Sequence, residues 1–412
     1  MKKRERLEWI LLLIIFLISF LPSSDASDNS LQKLAGHVKK IPPHVTAGIL
    51  VLDGDTGQIV FEKNKNALLC PASLTKILTT AASLHYLGPD YRFKTKIFHT
   101  GDYSEGIIHG DLFIKGYGDP VLVEERVWQA VEALKRKGLK KVLGKVCYDT
   151  TFFDTVSINP FWKNVSRKSY FAPSGALSVN FNTTRQGNDY IAVQDPGSRA
   201  ASLFQRLLQE GGISISEQPV QATVPAGASL LLEMESKALS LIIGDLNRYS
   251  NNFIAEQLVK TIAAEKAAPP GTTETGLALL GLYLFQTFGI KVEAYTLRDG
   301  SGLAYDNRLS PNQIVTVLRH CAADFTIGPE FLTSLKRPAY DSKEGTFFKS
   351  PALTKTIRVK TGHLKGVNGL AGFLHTAEGR TLCFCILLNY RKGNSWNMDR
   401  FIEDFLLILT AL

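Results

Sequence analysis

Between Ala47 and Glu62 the apolar positions fall into two short runs around a polar turn. Gly48-Ile49-Leu50-Val51-Leu52 is followed by Asp53-Gly54-Asp55-Thr56-Gly57 and then by Gln58-Ile59-Val60-Phe61. That pattern predicts a β-hairpin. The spacing then changes. Ile77, Leu78, Leu84 and Leu87 recur at helical intervals and stop at Gly88-Pro89, which predicts a helix opening near Ser73. Towards the other end, residues 357–362, 369–374 and 382–389 read as three strands, and 401–408 as an amphipathic helix. Strands from both ends can thus share one antiparallel sheet, with terminal helices against it. Between them, short strands alternate with turns, as in residues 110–120, and a helical run over 125–137 interrupts them. A helical stretch over 238–265 follows. The expected class is α/β (α+β). A discontinuous domain, residues 27–92 and 234–412, would carry the antiparallel sheet flanked by helices, and an inserted, mainly β domain would occupy 93–233.

The N-terminus changes the picture of where the chain works. Lys2, Lys3, Arg4 and Arg6 precede an apolar run over 9–21, and Ser23-Ser24-Asp25-Ala26 follows. A basic start, an apolar run too short to span a bilayer comfortably and a small-x-small site predict a signal peptide over residues 1–26, cleaved after Ala26. An uncleaved anchor is the alternative. The formal net charge of +9 suits an exported protein working at an anionic wall or membrane surface, in the periplasm or cell envelope. Lys and Arg are scattered, so no nucleic-acid module is expected. Five cysteines are an awkward number for a disulfide framework. Cys383 and Cys385 share one face of a predicted strand and read as core packing. No Cys/His spacing suggests a metal, and no cofactor is expected.

Three short motifs stand in order: Ser73-Leu74-Thr75-Lys76, Ser250-Asn251-Asn252 and Lys360-Thr361-Gly362. Singly they are weak. Ser30-Leu31-Gln32-Lys33 repeats the first, and Ser27, Ser157, Ser178, Ser310 and Ser395 all open an SxN. Context selects the chosen set, because Ser73 follows Pro71-Ala72 and opens the apolar helix, whereas Ser30 has no strand before it. On a helix, Lys76 lies three residues on and can reach Ser73. A serine hydroxyl needs such a base, and a lysine serves only when burial or a second cation lowers its pKa. The plain alternative for Ser73 is a helix cap.

Further stretches join these motifs: Gly116-Tyr117-Gly118-Asp119-Pro120, Ala176-Leu177-Ser178-Val179-Asn180, Phe253-Ile254-Ala255-Glu256, Asp299-Gly300-Ser301-Gly302-Leu303 and Leu370-Ala371-Gly372-Phe373. With them the chain resembles the low-molecular-mass class C penicillin-binding proteins, the D-alanyl-D-alanine carboxypeptidase/endopeptidase family. The resemblance implies a penicillin-binding/β-lactamase-like transpeptidase domain acting on peptidoglycan stem peptides, with β-lactams as inhibitors. It implies an acyl-enzyme on Ser73, Lys76 as base, Ser250 as proton relay, and Asn252 bonded to Lys76 and to the substrate amide. Lys360 and Thr361 would hold the terminal carboxylate, and Gly362 would let the substrate backbone lie close. The N–H groups of Ser73 and His363 would form the oxyanion hole.

Position 363 departs from the family's small hydroxyl residue. The ring either alters the carboxylate pocket, with a pH-sensitive effect, or points outward without a role. The interval from Ser73 to Ser250 is short, so the nested subdomain of longer members is expected to be missing. Tyr249-Ser250-Asn251 offers a competing frame, the YxN of class C β-lactamases. Trp162, Tyr170 and Phe171 read either as core or as a cleft rim, and Asp299 as a turn-shaping residue. A serine β-lactamase and a catalytically retired wall-binding protein are the rival readings. Carboxypeptidase versus endopeptidase preference stays open, and the C-terminal helix either packs on the sheet or lies on a membrane.

Overall fold

The computed structural model describes residues 24–338, 348, 350–390 and 396–412. The expected signal segment therefore lies almost wholly outside the described residues. Helix α1 (Ser24–Val38) leads to strand β1 (Val45–Asp53), and β2 (Ile59–Lys63) returns beside it across the predicted turn. Helix α2 (Thr75–Leu87) comes next. After residues 94–235, the chain continues through helices α3 (Leu239–Arg248), α4 (Asn252–Lys266), α5 (Thr273–Phe288) and α6 (Pro311–Ala323). Strands β3 (Ile357–Leu364), β4 (Val367–His375) and β5 (Thr381–Tyr390) follow, then helix α7 (Met398–Leu409).

These five strands form one antiparallel sheet in the order β3-β4-β5-β1-β2, joining both ends of the chain. Register and the period of two divide its faces. Ala371, Cys385 and Leu50 align across β4, β5 and β1 and face the core formed with helices α2, α3, α4 and α6. Their neighbours Leu370, Ile386 and Ile49 face a second core made with α1 and α7. Because both faces are covered, β4 and β5 read as nearly continuous apolar runs. All five cysteines are free and buried. The decoy Ser30 sits on α1, against the face turned away from Ser73.

Residues 94–235 build a second five-stranded sheet, whose strands run in the spatial order Val220–Gln221, Val146–Asp149, Leu112–Gly116, Lys94–His99 and Ser229–Glu235. Two helices, Glu124–Arg136 and Pro196–Glu210, pack Val127, Leu134, Phe204 and Leu208 against Ile97, Ile114 and Val146. Between these helices the chain passes over the first body. Phe153 packs with Ala264, and Trp162 and Phe171 pack with Ala304.

One expected helix is broken. The stretch over 238–265 is two helices, because Ser250 adopts a left-handed φ of 55° and the Asn251 side chain caps α4 by accepting from Ile254 N–H at 3.1 Å. Among the described residues, no helix is long and apolar enough to cross a membrane.

Candidate active site

Ser73 is not a helix cap. It lies in a 3₁₀ turn (Ala72–Leu74) ahead of α2, and neither helix start has a side-chain cap bond. The turn is held from outside. Asn389 of β5 accepts from Cys70 N–H at 2.8 Å and donates to the Cys70 carbonyl at 3.0 Å. Ala72 takes φ 46°, and its carbonyl accepts from the Thr75 hydroxyl at 2.9 Å. The Ser73 turn is thus pinned between the sheet and its own helix.

Lys76 is fully buried, and its Nζ has three partners: Ser73 Oγ at 3.0 Å, Asn252 Oδ1 at 2.7 Å and the Ser301 carbonyl at 2.5 Å. Burial lowers its pKa from 10.5 to about 7, against the opposing pull of Asp299 and Glu256. Lys360 is also fully buried, bonded to Ser250 Oγ and to the Thr361 carbonyl, each at 2.8 Å. Burial first, then repulsion from Lys76 and Lys336, hold its pKa well below the usual lysine value. The expected push of one lysine on the other therefore falls on Lys360. Lys76 owes its depression to desolvation.

The SxN frame follows from geometry. Ser250 meets Lys360 and Asn252 meets Lys76, while Asn251 is spent on its cap and Tyr249 points to solvent. Asn252 also donates to the Tyr170 carbonyl at 3.0 Å. The three aromatics of the passing segment separate accordingly. Trp162 and Phe171 are buried, and Trp162 Nε1 donates to Asp299 at 2.8 Å, whereas Tyr170 is half-exposed beside Asn252.

Strand β3 forms the edge of the sheet. Val359 exchanges both backbone bonds with Lys336, so its N–H and C=O point away from β4. By alternation, those of Thr361 and His363 do too. Gly362 has a structural reason of its own. A Cβ there would meet the Pro71 carbonyl at 2.7 Å and Leu74 at 3.1 Å, so glycine lets the strand close on the turn that carries Ser73. The His363 side chain is exposed, and Thr361 is half-buried.

Several contributors went unread in the sequence: the Ser301 carbonyl, Asn389 and the Tyr170 carbonyl. The first and last are backbone atoms, which carry no side-chain signal. Glu256 was in view only as part of a motif, whereas Asp299 was read as a turn-shaping residue. Asp299 is fully buried and accepts from Gly302 N–H, Ala304 N–H, Asn307 and the Ser301 hydroxyl as well as Trp162. It shapes the loop that presents the Ser301 carbonyl. A groove with a cavity volume of about 1220 Å³ lies elsewhere, along Phe161, Leu282, Phe285 and Arg298, and none of the eight expected residues lines it. An apolar groove on an outer helix face carries none of the chemistry described here.

A half-buried serine bonded to a buried lysine, faced by a second buried lysine on a sheet edge, defines an acyl-transfer enzyme of the penicillin-recognising class. The sequence matches the D-Ala-D-Ala carboxypeptidase 3 (S13) family over residues 30–190 and 175–405; the chain belongs to that family and is a serine DD-peptidase. It is 25% identical to the D-alanyl-D-alanine carboxypeptidase DacB of Haemophilus influenzae, over 86% of this chain and 88% of that protein. It is 26% identical to a D-alanyl-D-alanine carboxypeptidase of Actinomadura sp. (strain R39), over 84% and 78%. Its fold is that of penicillin binding protein 4 from H. influenzae, with a TM-score of 0.81, 23% identity and coverage of 92% of this chain and 99% of that one. A predatory peptidoglycan endopeptidase from Bdellovibrio bacteriovorus shares the fold at a TM-score of 0.57 and 17% identity, over 89% and 92%.

Proposed function

We propose that Ser73 is the nucleophile and Lys76 its general base, in an enzyme that cleaves peptidoglycan stem peptides after D-alanine and is acylated by β-lactams. The observation that carries this reading is the set of partners around Lys76 Nζ. A neutral amine has two N–H donors and one lone pair. The Asn252 oxygen and the Ser301 carbonyl can only accept, so they take both hydrogens and leave the lone pair to the Ser73 hydroxyl. An ammonium, with three donors, would have no lone pair for that proton.

In the forward step the Ser73 Oγ–carbonyl bond forms and Lys76 takes the hydroxyl proton. The C–N bond then breaks as that proton passes, through Ser250, to the leaving amine. Water later hydrolyses the acyl-enzyme. Developing negative charge on the carbonyl oxygen meets the N–H groups of Ser73 and His363. The outward-facing edge of β3 supports the second of these, and one such donor is worth on the order of 10²–10³ in rate. The substrate's terminal carboxylate lies against Lys360 and Thr361. An anion arriving there restores the Lys360 charge that burial opposes. Asn252 bonds the substrate amide. Tyr170 stands at the rim, where the stem peptide enters.

The same reading includes export through residues 1–26 to the cell envelope. It treats 93–233 as a domain inserted into the penicillin-binding domain of 27–92 and 234–412, a division supported by the separate sheet. Endopeptidase cleavage of cross-links uses the same step with a larger leaving group.

The test is the intact mass of the purified protein after incubation with a penicillin, beside Ser73→Ala. A long-lived adduct absent from the variant is the expected result. Fast drug hydrolysis without adduct would point to a β-lactamase, and neither adduct nor turnover to a retired binder.

A further inference from the structure

Helix α4 carries a second polar group on the face of Asn252, and this one is buried. Glu256 lies four residues on, hence on the same helix face, and is 3% exposed. Its Oε1 accepts from Gly300 N–H at 3.1 Å and from Ser301 N–H at 2.9 Å. The carbonyls of those two residues point the other way, into α2. That of Gly300 accepts from the Thr79 hydroxyl at 2.6 Å, and that of Ser301 accepts from Lys76. The 299–302 loop is therefore clamped between two helices, its amides on Glu256 and its carbonyls on α2. The second oxygen of Glu256, Oε2, is buried with no hydrogen-bond partner.

Resting on the reading of Lys76 as general base, we propose that Glu256 is a positioning residue of the reaction, which aims the Ser301 carbonyl at Lys76 and does so as a neutral carboxylic acid. The positioning follows from the bond chain. Glu256 anchors the 299–300 and 300–301 peptides, while the next one, which bears the Ser301 carbonyl, is held by Gly302 N–H on Asp299. Without the Glu256 acceptor the first two lose their anchor, the carbonyl shifts with them, and the lone pair of Lys76 is less well directed at Ser73. The neutral form follows from the surroundings. A buried carboxylate oxygen without a partner is costly when charged, and Asp299 brings a second negative charge beside it. Burial first, then Asp299, push the Glu256 carboxyl up to about 8. The charged and titratable groups facing this cluster are Lys76 from α2, Asp299 from the loop and Lys360 from β3, which is coupled to Lys76. Ionisation of Glu256 puts a negative charge beside Lys76 and favours its return to ammonium, the form without a lone pair.

The experiment compares wild type, Glu256→Gln and Glu256→Ala by the second-order rate of Ser73 acylation with a penicillin from pH 6 to 9.5, with Tm measured in parallel. Wild type is expected to rise through about pH 7 and bend downward above about 8. Glutamine keeps the acceptor oxygen and cannot ionise. Its maximum should lie within a few-fold of wild type, with the high-pH bend gone. Alanine removes the acceptor and should acylate on the order of 10²-fold more slowly.

A bend that persists in Glu256→Gln, or a rate in Glu256→Gln as low as in Glu256→Ala, would overturn the proposal. So would wild-type acylation in Glu256→Ala. If Glu256→Ala does not fold, the shape of the Glu256→Gln profile decides alone. A wild-type protein that forms no adduct would instead sink the parent reading of Ser73 and Lys76.

Discussion

At the scale of single residues, the site trades charge for reactivity. Two lysines are buried completely, and burial, against the opposing pull of Asp299 and Glu256, brings Lys76 to about 7. The sign of the consequence is fixed. With Lys76 as the base proposed above, below about pH 7 the ammonium predominates and its lone pair is occupied, leaving Ser73 without a base; above it, the amine is free. Acylation by a penicillin should therefore increase with rising pH through about 7. Lys76→Arg should show no such rise, because guanidinium stays protonated throughout this range. It should also be slower on the order of 10²–10⁴-fold, the usual worth of a general base. Timed quenching and intact mass across the pH range check both points. A wild-type profile flat from pH 6 to 9 would remove Lys76 from the role.

At the scale of elements, reactivity depends on how closely backbone segments approach. The loop after Asp299 lies directly on the nucleophile turn. A Cβ on Gly302 would stand 1.9 Å from the Ala72 carbonyl oxygen, and the φ of 78° is itself left-handed. No rotamer change relieves a clash between Cβ and backbone. Gly302→Ala should cost at least about 1–3 kcal/mol, the order expected for a residue forced into that region. It should also slow acylation more than its loss of stability explains, since the Ser301 carbonyl moves with Gly302. Denaturant melts and acylation rates on the same samples measure the two effects. Full acylation in a folded variant would show that the loop tolerates displacement. The break between α3 and α4 works likewise, because the turn at Ser250 delivers its hydroxyl to Lys360 while Asn252 starts the next helix against Lys76.

At the scale of the whole molecule, one sheet separates two cores with different duties. The face towards α2, α3 and α4 bears the proposed site, and the face under α1 and α7 forms a core turned away from it. Phe405 on α7 is fully buried in the second core and meets Phe61 edge-on at 5.7 Å. Phe405→Ala should destabilise by about 3–5 kcal/mol, the range for an emptied aromatic core position. The acylation rate of the protein that stays folded should not change. Equilibrium unfolding together with acylation at low temperature separates the two. A large rate loss in fully folded variant would mean that the faces are coupled.

Much of this was legible in the chain alone, where the information is local. The hairpin at Gly48, the three strands from residue 357 and the terminal helix follow from periods of two and 3.6 in apolar positions. Ser73, Lys76, Ser250, Asn252, Lys360 and Thr361 stand out through the order of their motifs. Other features depend on segments far apart in sequence. Helix Pro196–Glu210 escaped reading, and the stretch over 238–265 looked continuous because the left-handed turn at Ser250 leaves no mark in hydropathy. The purpose of Gly362 emerges only when β3 closes on Pro71 and Leu74. Residue types and their spacing determined which groups are present. Burial, which lowers both lysines, and the backbone carbonyls that orient Lys76 were decided by tertiary packing, because desolvation and hydrogen-bond direction exist only once α2, α4, β3 and the Asp299 loop meet.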